Sequence, residues 1–483
     1  MKFLKKTELR RSIIWVLMAG VMEGCTVGPK YRRPSVPTPD VFRGAPAAAS
    51  AIPDLAPLGD LKWFEVFKDE QLQSLIRTAL AQNYDLRIAT ARVMEARANL
   101  GITRSNQFPQ IGGSASETSS QISTQGSFLL PSNPTPGFAI SRTRNFGSVL
   151  LDLLSFEVDV WGRLRRATEA ARANLLASDE NRKVVITTLV SDVASAYFDL
   201  LELDMELEIA SRTLAAREQS LSLIRTQRLG GTATTLDERQ AEELVYTAKA
   251  AIPRTKLQIE QTENQIRLLV GDSPDAVVRG HPLIEQEQPP GVPAGLPSSL
   301  LERRRDIRLA EQNLIAANAN IGVAKGAYFP DISLTGFLGF QSSQLSNLFT
   351  GATRTWNFVP QISQPIFTAG RLKSTVRLTE AQKQEALVQY EQSIKTGLRE
   401  VSDALVQRTR SAEIRAQQEL LVGVVQDRVR LAYMRYRGGV DTLLNALDAD
   451  RDLFNNELTL AQDRRDELLA LVQLYKALGG GWQ

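Results

Sequence analysis

The side chains that most often carry out chemistry are nearly absent from this sequence of 483 residues. It contains a single cysteine, Cys25, and a single histidine, His281. One cysteine excludes an intrachain disulfide and any cysteine-built zinc or iron–sulfur site. The histidine lies in a proline-rich segment, where we expect a solvated loop residue rather than a metal ligand or a general base. We therefore expect no enzyme, no metal site and no cofactor.

Charge and motifs narrow the function further. Lys and Arg total 57 and Asp and Glu total 54, so the formal net charge is only +3. An electrostatic nucleic-acid binder would carry a concentrated basic excess, so we expect no nucleic-acid partner. The sequence also lacks a phosphate-cradling loop, a nucleophile elbow and a zinc motif. An enzyme is therefore the weakest of the functional alternatives.

The N-terminus places Cys25 where a lipid could be attached. Five basic residues lie within 2–11, and a short apolar run, 13–22, follows them. This run is too short for a hydrocarbon core of about 30 Å, so it indicates a signal peptide, 1–24, rather than a membrane helix or a short buried helix. The segment around Cys25 is similar to a bacterial lipoprotein cleavage site, from which Glu23 departs. We expect Cys25 to become the lipidated first residue, and Thr26 in place of Asp indicates the outer membrane.

The remainder of the sequence contains one pattern twice. Residues 84–111 match residues 305–332 in register, and further matches continue from Gly162 and Gly370 onward. Matches over this length rarely arise by chance, so we predict an internally duplicated chain. The predicted parts are an extended lipidated segment at 25–59, a first repeat at 60–275, a Pro-rich connector at 276–295 and a second repeat at 296–483.

Each repeat contains a very long helical segment. Residues 163–229 have neither Gly nor Pro, and 67 helical residues would extend about 100 Å. Apolar residues recur there at alternating spacings of four and three, interrupted only by Arg217. This spacing predicts a coiled-coil seam. The glycine pairs that end the long segments predict helix–helix turns near 230 and 438.

A charge-poor stretch with strand-like alternation lies within each repeat, at about 110–161 and about 331–369. Apolar residues share one parity in three runs, which are Ile332, Leu334, Leu338 and Phe340; Trp356, Phe358, Ile362 and Ile366; and Phe146, Leu150, Leu154, Phe156, Val158 and Val160. Such segments are typical of transmembrane β-strands, and a soluble hairpin packed on the helices is the alternative. Because no other stretch approaches 18 uninterrupted apolar residues, we predict no membrane-spanning helix in the mature chain.

Counting the strands predicts an oligomer. Two hairpins supply about four strands, which cannot close a barrel or hide their edges in lipid. Two chains would give about eight strands with a filled interior, whereas three chains would give about twelve with an open lumen. Long helices continuing from the strands would form a second, helical cylinder outside the membrane.

With these elements in place, the chain resembles the outer-membrane efflux duct family, the TolC-like proteins, in the lipoprotein branch associated with RND multidrug pumps. The most specific matching segments are CTVGPKYRRP (25–34), LLERRRDIRLAE (300–311), YRGGVDTLLNALDADR (436–451) and LYKALGGGW (474–482). The resemblance implies a mainly α fold with a small β part, assembled as a homotrimer with a helical α-barrel and a β-barrel of about twelve strands. It also implies a periplasmic adaptor, an inner-membrane RND-type pump and outer-membrane lipid as partners. The implied function is passive conduction of drugs or other small toxic compounds to the exterior.

The resemblance further implies two sets of site residues, a periplasmic gate at Tyr436, Leu444, Asp448 and Arg451, and adaptor-facing tip turns at Gly230, Gly231, Gly438 and Gly439. From spacing alone, Leu444, Asp448 and Arg451 share one helix face. In a trimer, three Asp448 carboxylates would surround the axis and repel one another unless Arg451 pairs with them. Without the resemblance, a solvated face of a coiled coil is the simpler interpretation. The first repeat carries Gln240 and Glu243 at the matching positions, so the two helix pairs need not move alike.

Two other functions remain open. A duct for metal ions or for another type I-like export system would share this architecture. The mature chain has only Met94, Met205 and Met434, one histidine and no cysteine cluster, which does not favour a soft-metal relay. A structural coiled-coil lipoprotein would account for the helical seam but would need no β-strands.

Overall fold

The structure is a computed structural model, and the residues that it describes are 26–37, 39, 41–43, 58–121, 143–286 and 300–482. The predicted signal peptide and Cys25 lie outside the described residues, as does part of the Pro-rich connector. Within the described part, the chain is mostly helical and has one small β-sheet.

The described residues form nine α-helices and four β-strands. The helices are α1 (Trp63–Val66), α2 (Glu70–Gln82), α3 (Tyr84–Ser105), α4 (Arg163–Leu229), α5 (Thr235–Val270), α6 (Leu300–Arg303), α7 (Arg305–Gly326), α8 (Arg371–Arg437) and α9 (Leu443–Ala477). The strands are β1 (Gln110–Gln121), β2 (Thr143–Glu157), β3 (Asp331–Ser342) and β4 (Arg354–Ser363).

The elements repeat in length as well as in order. Helices α3 and α7 each have 22 residues, and α4 and α8 each have 67. Strands β1 and β3 each have 12. This repetition confirms the predicted internally duplicated, mainly α chain. Helix α4 spans the whole Gly- and Pro-free stretch because nothing in it disfavours the helix strongly enough to end it.

One helix of the described chain, α4, meets the criteria of length and composition for a membrane helix. It contains an 18-residue window with a mean hydropathy of 1.5, long and apolar enough to cross a membrane by composition alone. Interspersed polar residues break the apolar run, so a search for uninterrupted apolar stretches misses this window. Because 56% of the window is buried inside the structure, packing in the protein core accounts for its apolar character.

Contacts divide the chain into two compact units. The first unit consists of the described residues within 1–33, 95–175 and 312–387. The second unit consists of the described residues within 34–94, 176–311 and 388–483.

The first unit contains an antiparallel sheet in the order β1-β2-β3-β4. One of its faces is apolar and exposed. Leu151 of β2 lies opposite Leu338 of β3, which in turn lies opposite Trp356 of β4. Trp356 is 74% exposed and Leu338 is 54% exposed. Ile111 of β1 extends the same face, because it lies opposite Leu153, two residues from Leu151.

The other face of the sheet is polar where β1 meets β2. The Ser114 hydroxyl donates to Asp152 Oδ2 at 2.7 Å, and the hydroxyls of Ser116 and Ser148 are 2.9 Å apart. A sheet with one exposed apolar face and hydrogen-bonded polar groups on the other is suited to lie between lipid and a water-filled lumen.

Strand β2 departs from the predicted alternation. Its pairing with β3 shifts between Leu153 and Phe156, so Phe156 lies opposite Leu334 whereas Leu150 lies opposite Gly339. Residues 334 and 339 of β3 point to opposite faces, so Leu150 and Phe156 do not share a face as predicted. An irregularity of this kind inserts extra residues and reverses the parity of the residues beyond it.

Three apolar residues that we expected in strands lie beyond the strand ends. Val158 and Val160 follow β2, which ends at Glu157. Ile366 follows β4, which ends at Ser363. Pro365 has no N–H to donate to a neighbouring strand, which disfavours continuation of β4 past this point.

The N-terminal segment is held against the helices of the first unit through its backbone. Val27 N donates to Trp161 O at 3.0 Å. Arg166 Nε donates to Val27 O at 3.2 Å, and Asn318 Nδ2 donates to Pro29 O at 3.0 Å. Asn318 is 1% exposed, so its bond to the segment is shielded from water. The chain that follows Cys25 is therefore anchored near the end of β2.

The second unit has an aromatic core. Phe67, which follows α1, packs with its ring 6.0 Å from Tyr475 of α9 and 6.4 Å from Phe198 of α4, measured between centroids. Tyr197 and Tyr475 are both less than 2% exposed. The long helices are thus packed together with the short N-terminal helices of the same unit.

Candidate functional site

The predicted tip turns join the long helices of the second unit. Gly231 has a φ of +79° between α4 and α5, and Gly439 has a φ of +67° between α8 and α9. Side chains disfavour this left-handed conformation, so glycine is needed at both positions. The N–H groups of Gly230 and Gly438 each donate to the helix carbonyl four residues earlier, at 3.0 Å. In each pair, the first glycine closes the helix and the second reverses the chain.

The helices that leave the two turns begin differently. Helix α5 begins with a capping box, in which Thr234 and Asp237 bond each other's backbone N–H groups. Helix α9 has no side-chain cap from Thr442, and Asp441 instead accepts from Thr442 N at 2.8 Å and from Arg435 Nε at 3.2 Å. The second turn is therefore tied to the end of α8 by an ion pair.

A small hydrophobic core lies beneath the turns. Leu221 and Ile224 of α4, Val245 of α5, and Leu443 and Leu447 of α9 form one buried cluster. The seam predicted for α4 thus packs against α5 and α9, and this packing joins the two helix pairs.

The predicted gate residues occupy two places near the turns. Tyr436 lies at the end of α8, and its hydroxyl donates to Gln227 Oε1 of α4 at 2.8 Å. Leu444, Asp448 and Arg451 lie on α9, where Leu444 is 47% exposed. Arg451 Nη2 is 3.3 Å from Asp448 Oδ1, and the two side chains are 56% and 45% exposed. The structure therefore brings Leu444, Asp448 and Arg451 together on an exposed face of α9, while Tyr436 contacts α4.

Arg217 is a residue of this region to which the sequence assigned no role. It is 4% exposed, and its Nε donates to Asp450 Oδ2 at 2.6 Å. Its Nη1 donates to Leu244 O at 2.9 Å. The sequence contained one signal for this contact, which is that Arg217 interrupts an otherwise apolar seam. A charged residue at a buried position needs a partner, so the interruption indicated an ion pair.

Farther along the same helices lies a polar cavity of about 430 Å³, which α4 lines with Asp199, Glu202 and Glu206 and which α5 and α9 line mainly with glutamines. Glu202 is 2% exposed and neighbours Glu206, and its Oε2 is 3.5 Å from Arg465 Nη1. Burial, followed by the hydrogen bond and negative charge of Glu206, raises the pKa of Glu202 to about 8, and Arg465 lowers it by less. Among the described residues, no group of three or more His, Cys, Asp or Glu side chains could hold a metal ion.

Glu202 should make the stability of the protein depend on pH. Its pKa is higher in the folded chain than the ordinary 4.5, so its contribution is fully present below pH 4.5 and is lost as the pH rises towards 8. We expect Glu202→Gln to raise the thermal unfolding midpoint at pH 8 with little effect at pH 5. Glu218→Gln, at an exposed position of the same helix, is the control. Equal pH dependence of the wild type and Glu202→Gln would contradict this prediction.

The chain is similar to known proteins over nearly its whole length. The family described as outer membrane efflux protein matches residues 75–272 and 296–480. The solvent efflux pump outer membrane protein SrpC of Pseudomonas putida is 38% identical over 478 residues, covering 97% of each chain. The cation efflux system protein CusC of Escherichia coli is 36% identical over 471 residues, covering 96% of this chain and 98% of CusC.

The fold agrees with these relatives. The open state of the MtrE outer membrane channel of Neisseria gonorrhoeae superposes with a TM-score of 0.85 at 32% identity, covering 95% of this chain and 99% of MtrE. The predicted fold class and the resemblance drawn from the motifs are both confirmed. The family match in both halves of the sequence and the near-complete coverage of each relative lead to one conclusion: the chain belongs to the outer membrane efflux protein family.

Proposed function

We propose that this protein is the outer-membrane exit duct of a tripartite efflux system. It conducts small toxic compounds passively from an inner-membrane pump and a periplasmic adaptor to the exterior, and it has no catalytic step of its own. The observation that carries this proposal is the sheet of the first unit. Its apolar face includes Leu338 and Trp356, exposed to 54% and 74%, whereas its other face carries hydrogen-bonded serines.

The edges of the sheet support a homotrimer. In the described chain, β1 and β4 are the two outer strands of the sheet. Unpaired strand edges cannot remain in lipid, because their N–H and C=O groups would lack partners there. Three copies of four strands would close a barrel of about twelve, with room for an open lumen.

The N-terminal segment supports a lipid anchor. Cys25 itself lies outside the described residues, but Val27 is bonded to Trp161, four residues after the end of β2. Acyl chains on Cys25 would therefore enter the membrane beside the strands and contribute about 0.8 kcal/mol per buried CH₂ group.

The turns at the ends of the long helices support the adaptor and the gate. The adaptor would contact the tip turns at Gly230, Gly231, Gly438 and Gly439. The gate would consist of Tyr436, Leu444, Asp448 and Arg451, which lie next to these turns on α8 and α9. Adaptor binding would supply the force that opens it.

We propose organic drugs or solvents as the cargo and an RND-type pump as the energy source. The names of SrpC and CusC connect relatives of this chain with solvents and with cations respectively. A metal-ion duct is the second candidate, but the described residues contain no metal-binding cluster that would favour it.

Deletion of the gene tests the proposed function. The deletion strain should become more susceptible to several organic solvents or antibiotics, and expression of the wild-type chain should restore resistance. Increased susceptibility to copper or silver ions alone would instead favour the metal-ion duct. Unchanged susceptibility to every compound, in a strain shown to produce the protein before deletion, would contradict an efflux role.

A further inference from the structure

Arg217 joins three helices through one buried guanidinium group. It belongs to α4, and its Nη1 donates to the carbonyl of Leu244 in α5 at 2.9 Å. Its Nε donates to Asp450 Oδ2 in α9 at 2.6 Å, and its Nη2 lies 3.5 Å from Asp450 O. Phe454 of α9 lies beneath it, with the guanidinium 5.0 Å from the ring centroid. The geometry of this group therefore depends on the relative positions of α4, α5 and α9.

The position of Asp450 connects this contact with the proposed gate. Asp450 follows Asp448 by two residues, which corresponds to a rotation of about 200° around an α-helix. The proposed gate carboxylate thus faces one side of α9, and the carboxylate bound by Arg217 faces nearly the opposite side. A shift or rotation of α9 would therefore change both the contact of Asp450 with Arg217 and the place of Asp448.

The two ion pairs of this region differ in their exposure to water. Arg217 and Asp450 have side chains that are 3% and 16% exposed, whereas Arg451 and Asp448 are 56% and 45% exposed. A buried charge that loses its partner is strongly unfavourable, because water cannot replace the lost interaction. An exposed pair is weaker and is screened by salt.

The equivalent positions of the duplication do not form a second contact of this kind. The position that matches Arg217 in α8 is Val425, which is 6% exposed. The position that matches Asp450 in α5 is Glu242, which pairs with the half-exposed Arg225 at 3.1 Å. The duplicated helices are therefore held differently at equivalent places, although their lengths match.

We propose that Arg217 is a positioning residue of the gate, which holds α9 in the closed arrangement through its buried contact with Asp450. Opening of the gate must break this contact. The exposed pair of Asp448 and Arg451 makes a smaller contribution to the stability of the closed state. This inference rests on the proposed duct function.

Single-channel recordings of the full-length protein in planar lipid bilayers test the proposal. We expect Arg217→Met to increase the fraction of time spent open by about a hundredfold or more, because three copies of a buried contact are removed from each trimer. The increase for Arg217→Met should be the same at about 0.1 M and at about 1 M KCl. The increase in open time for Asp448→Asn should be smaller at the higher concentration, because the screening length falls from about 10 Å to about 3 Å. Arg225→Met, which removes a more exposed arginine near the same turns, is the matched control and should conduct like the wild type.

Further variants separate pairing from misfolding. If Arg217 and Asp450 act as a pair, the double variant with Arg217→Met and Asp450→Asn should be no more open than Arg217→Met alone. Arg217→Lys keeps the charge but cannot make all three polar contacts, so it should fold and show a smaller increase. If Arg217→Met does not assemble, the Lys variant decides the question.

The outcomes separate this inference from the duct function. Wild-type conductance of Arg217→Lys and Arg217→Met beside a leaking Asp448→Ala would overturn the role of Arg217 and leave the duct intact. Additive effects of the Arg217 and Asp450 substitutions would overturn the pairing. No current from any variant would overturn the duct function and this inference together.

Discussion

Replacement of Asp448 with alanine should increase the fraction of time that the purified trimer spends open by about tenfold. Asp448 and Arg451 are 3.3 Å apart on the exposed face of α9. Because this pair lies within one helix, its effect on closure would come from Arg451 side chains pairing with Asp448 carboxylates of neighbouring copies around the axis. An exposed ion pair contributes about 0.5 kcal/mol, so three such pairs would contribute about 1.5 kcal/mol, which corresponds to about a tenfold change. Single-channel recording in planar bilayers at about 0.1 M KCl measures this change.

The internal duplication supplies a control for this experiment. Gln240 occupies the position in α5 that matches Asp448 in α9. Gln240→Ala should conduct like the wild type, because it removes no charge. If Asp448→Ala and the wild type conduct equally, Asp448 has no part in closing the duct.

Replacement of Asp69 with alanine should destabilise the second unit by about 3–5 kcal/mol, because several buried donors would lose a charged acceptor at once. Asp69 is 4% exposed and precedes α2 as its N-cap. Its carboxylate accepts hydrogen bonds from five donors, which are Gln71 N (2.8 Å), Leu72 N (3.1 Å), Tyr197 Oη (3.0 Å), His281 N (3.0 Å) and Gln286 Nε2 (2.9 Å). Thermal unfolding of the detergent-purified protein, followed by circular dichroism, measures the loss.

The charge of Asp69 adds a pH dependence to this prediction. Burial raises the pKa of Asp69, but hydrogen bonds from Gln286, Leu72, His281 and Tyr197 outweigh burial and hold it below the ordinary 3.8. Its contribution is therefore present above pH 3.8 and is lost as the pH falls further. The difference between the wild type and Asp69→Ala should narrow under strongly acidic conditions.

An exposed aspartate serves as the control for Asp69. Asp403 has a side chain that is 75% exposed and lies 3.9 Å from Arg399 on the same helix. Asp403→Ala should change the stability by no more than about 0.5 kcal/mol. Equal unfolding midpoints for Asp69→Ala and Asp403→Ala would show that Asp69 does not organise this unit.

The repeated helices could be predicted because their determinants are local. The stretch without Gly or Pro from 163 to 229 coincides with α4, and the matching stretch coincides with α8. Helix propensity and a seam with a period near 3.5 act over neighbouring residues, so both can be detected in one sequence. The glycine pairs were detectable for the same reason, since glycine adopts the positive φ values of Gly231 and Gly439 far more readily than other residues.

Strand registers and long-range contacts could not be predicted in this way. The shift between Leu153 and Phe156 depends on pairing with β3, about 180 residues away in the sequence. The ion pair of Arg217 and Asp450 joins residues 233 positions apart. Neither partner of such a contact carries a local pattern that identifies the other.

His281 has one property that the sequence predicts and one contact that it does not. The sequence predicts a solvated side chain in a connector, and the side chain is indeed 65% exposed. Its backbone N–H, however, donates to the buried carboxylate of Asp69, 212 residues earlier. The polarity of a side chain predicts its own exposure, but a backbone donor is the same in every residue except proline and does not reveal its acceptor.

The internal repeat and the two periodicities determined by themselves the class of this protein, which is a duplicated helical chain with a few strands suited to a membrane. Tertiary structure alone decided which of the many arginines and aspartates are buried together. Arginine and aspartate are residue types that usually lie at the surface. The importance of Arg217 and Asp69 arises from the groups that folding places around them. The reason is physical, since the strength of a charge interaction depends on its desolvation and on partners distant in sequence.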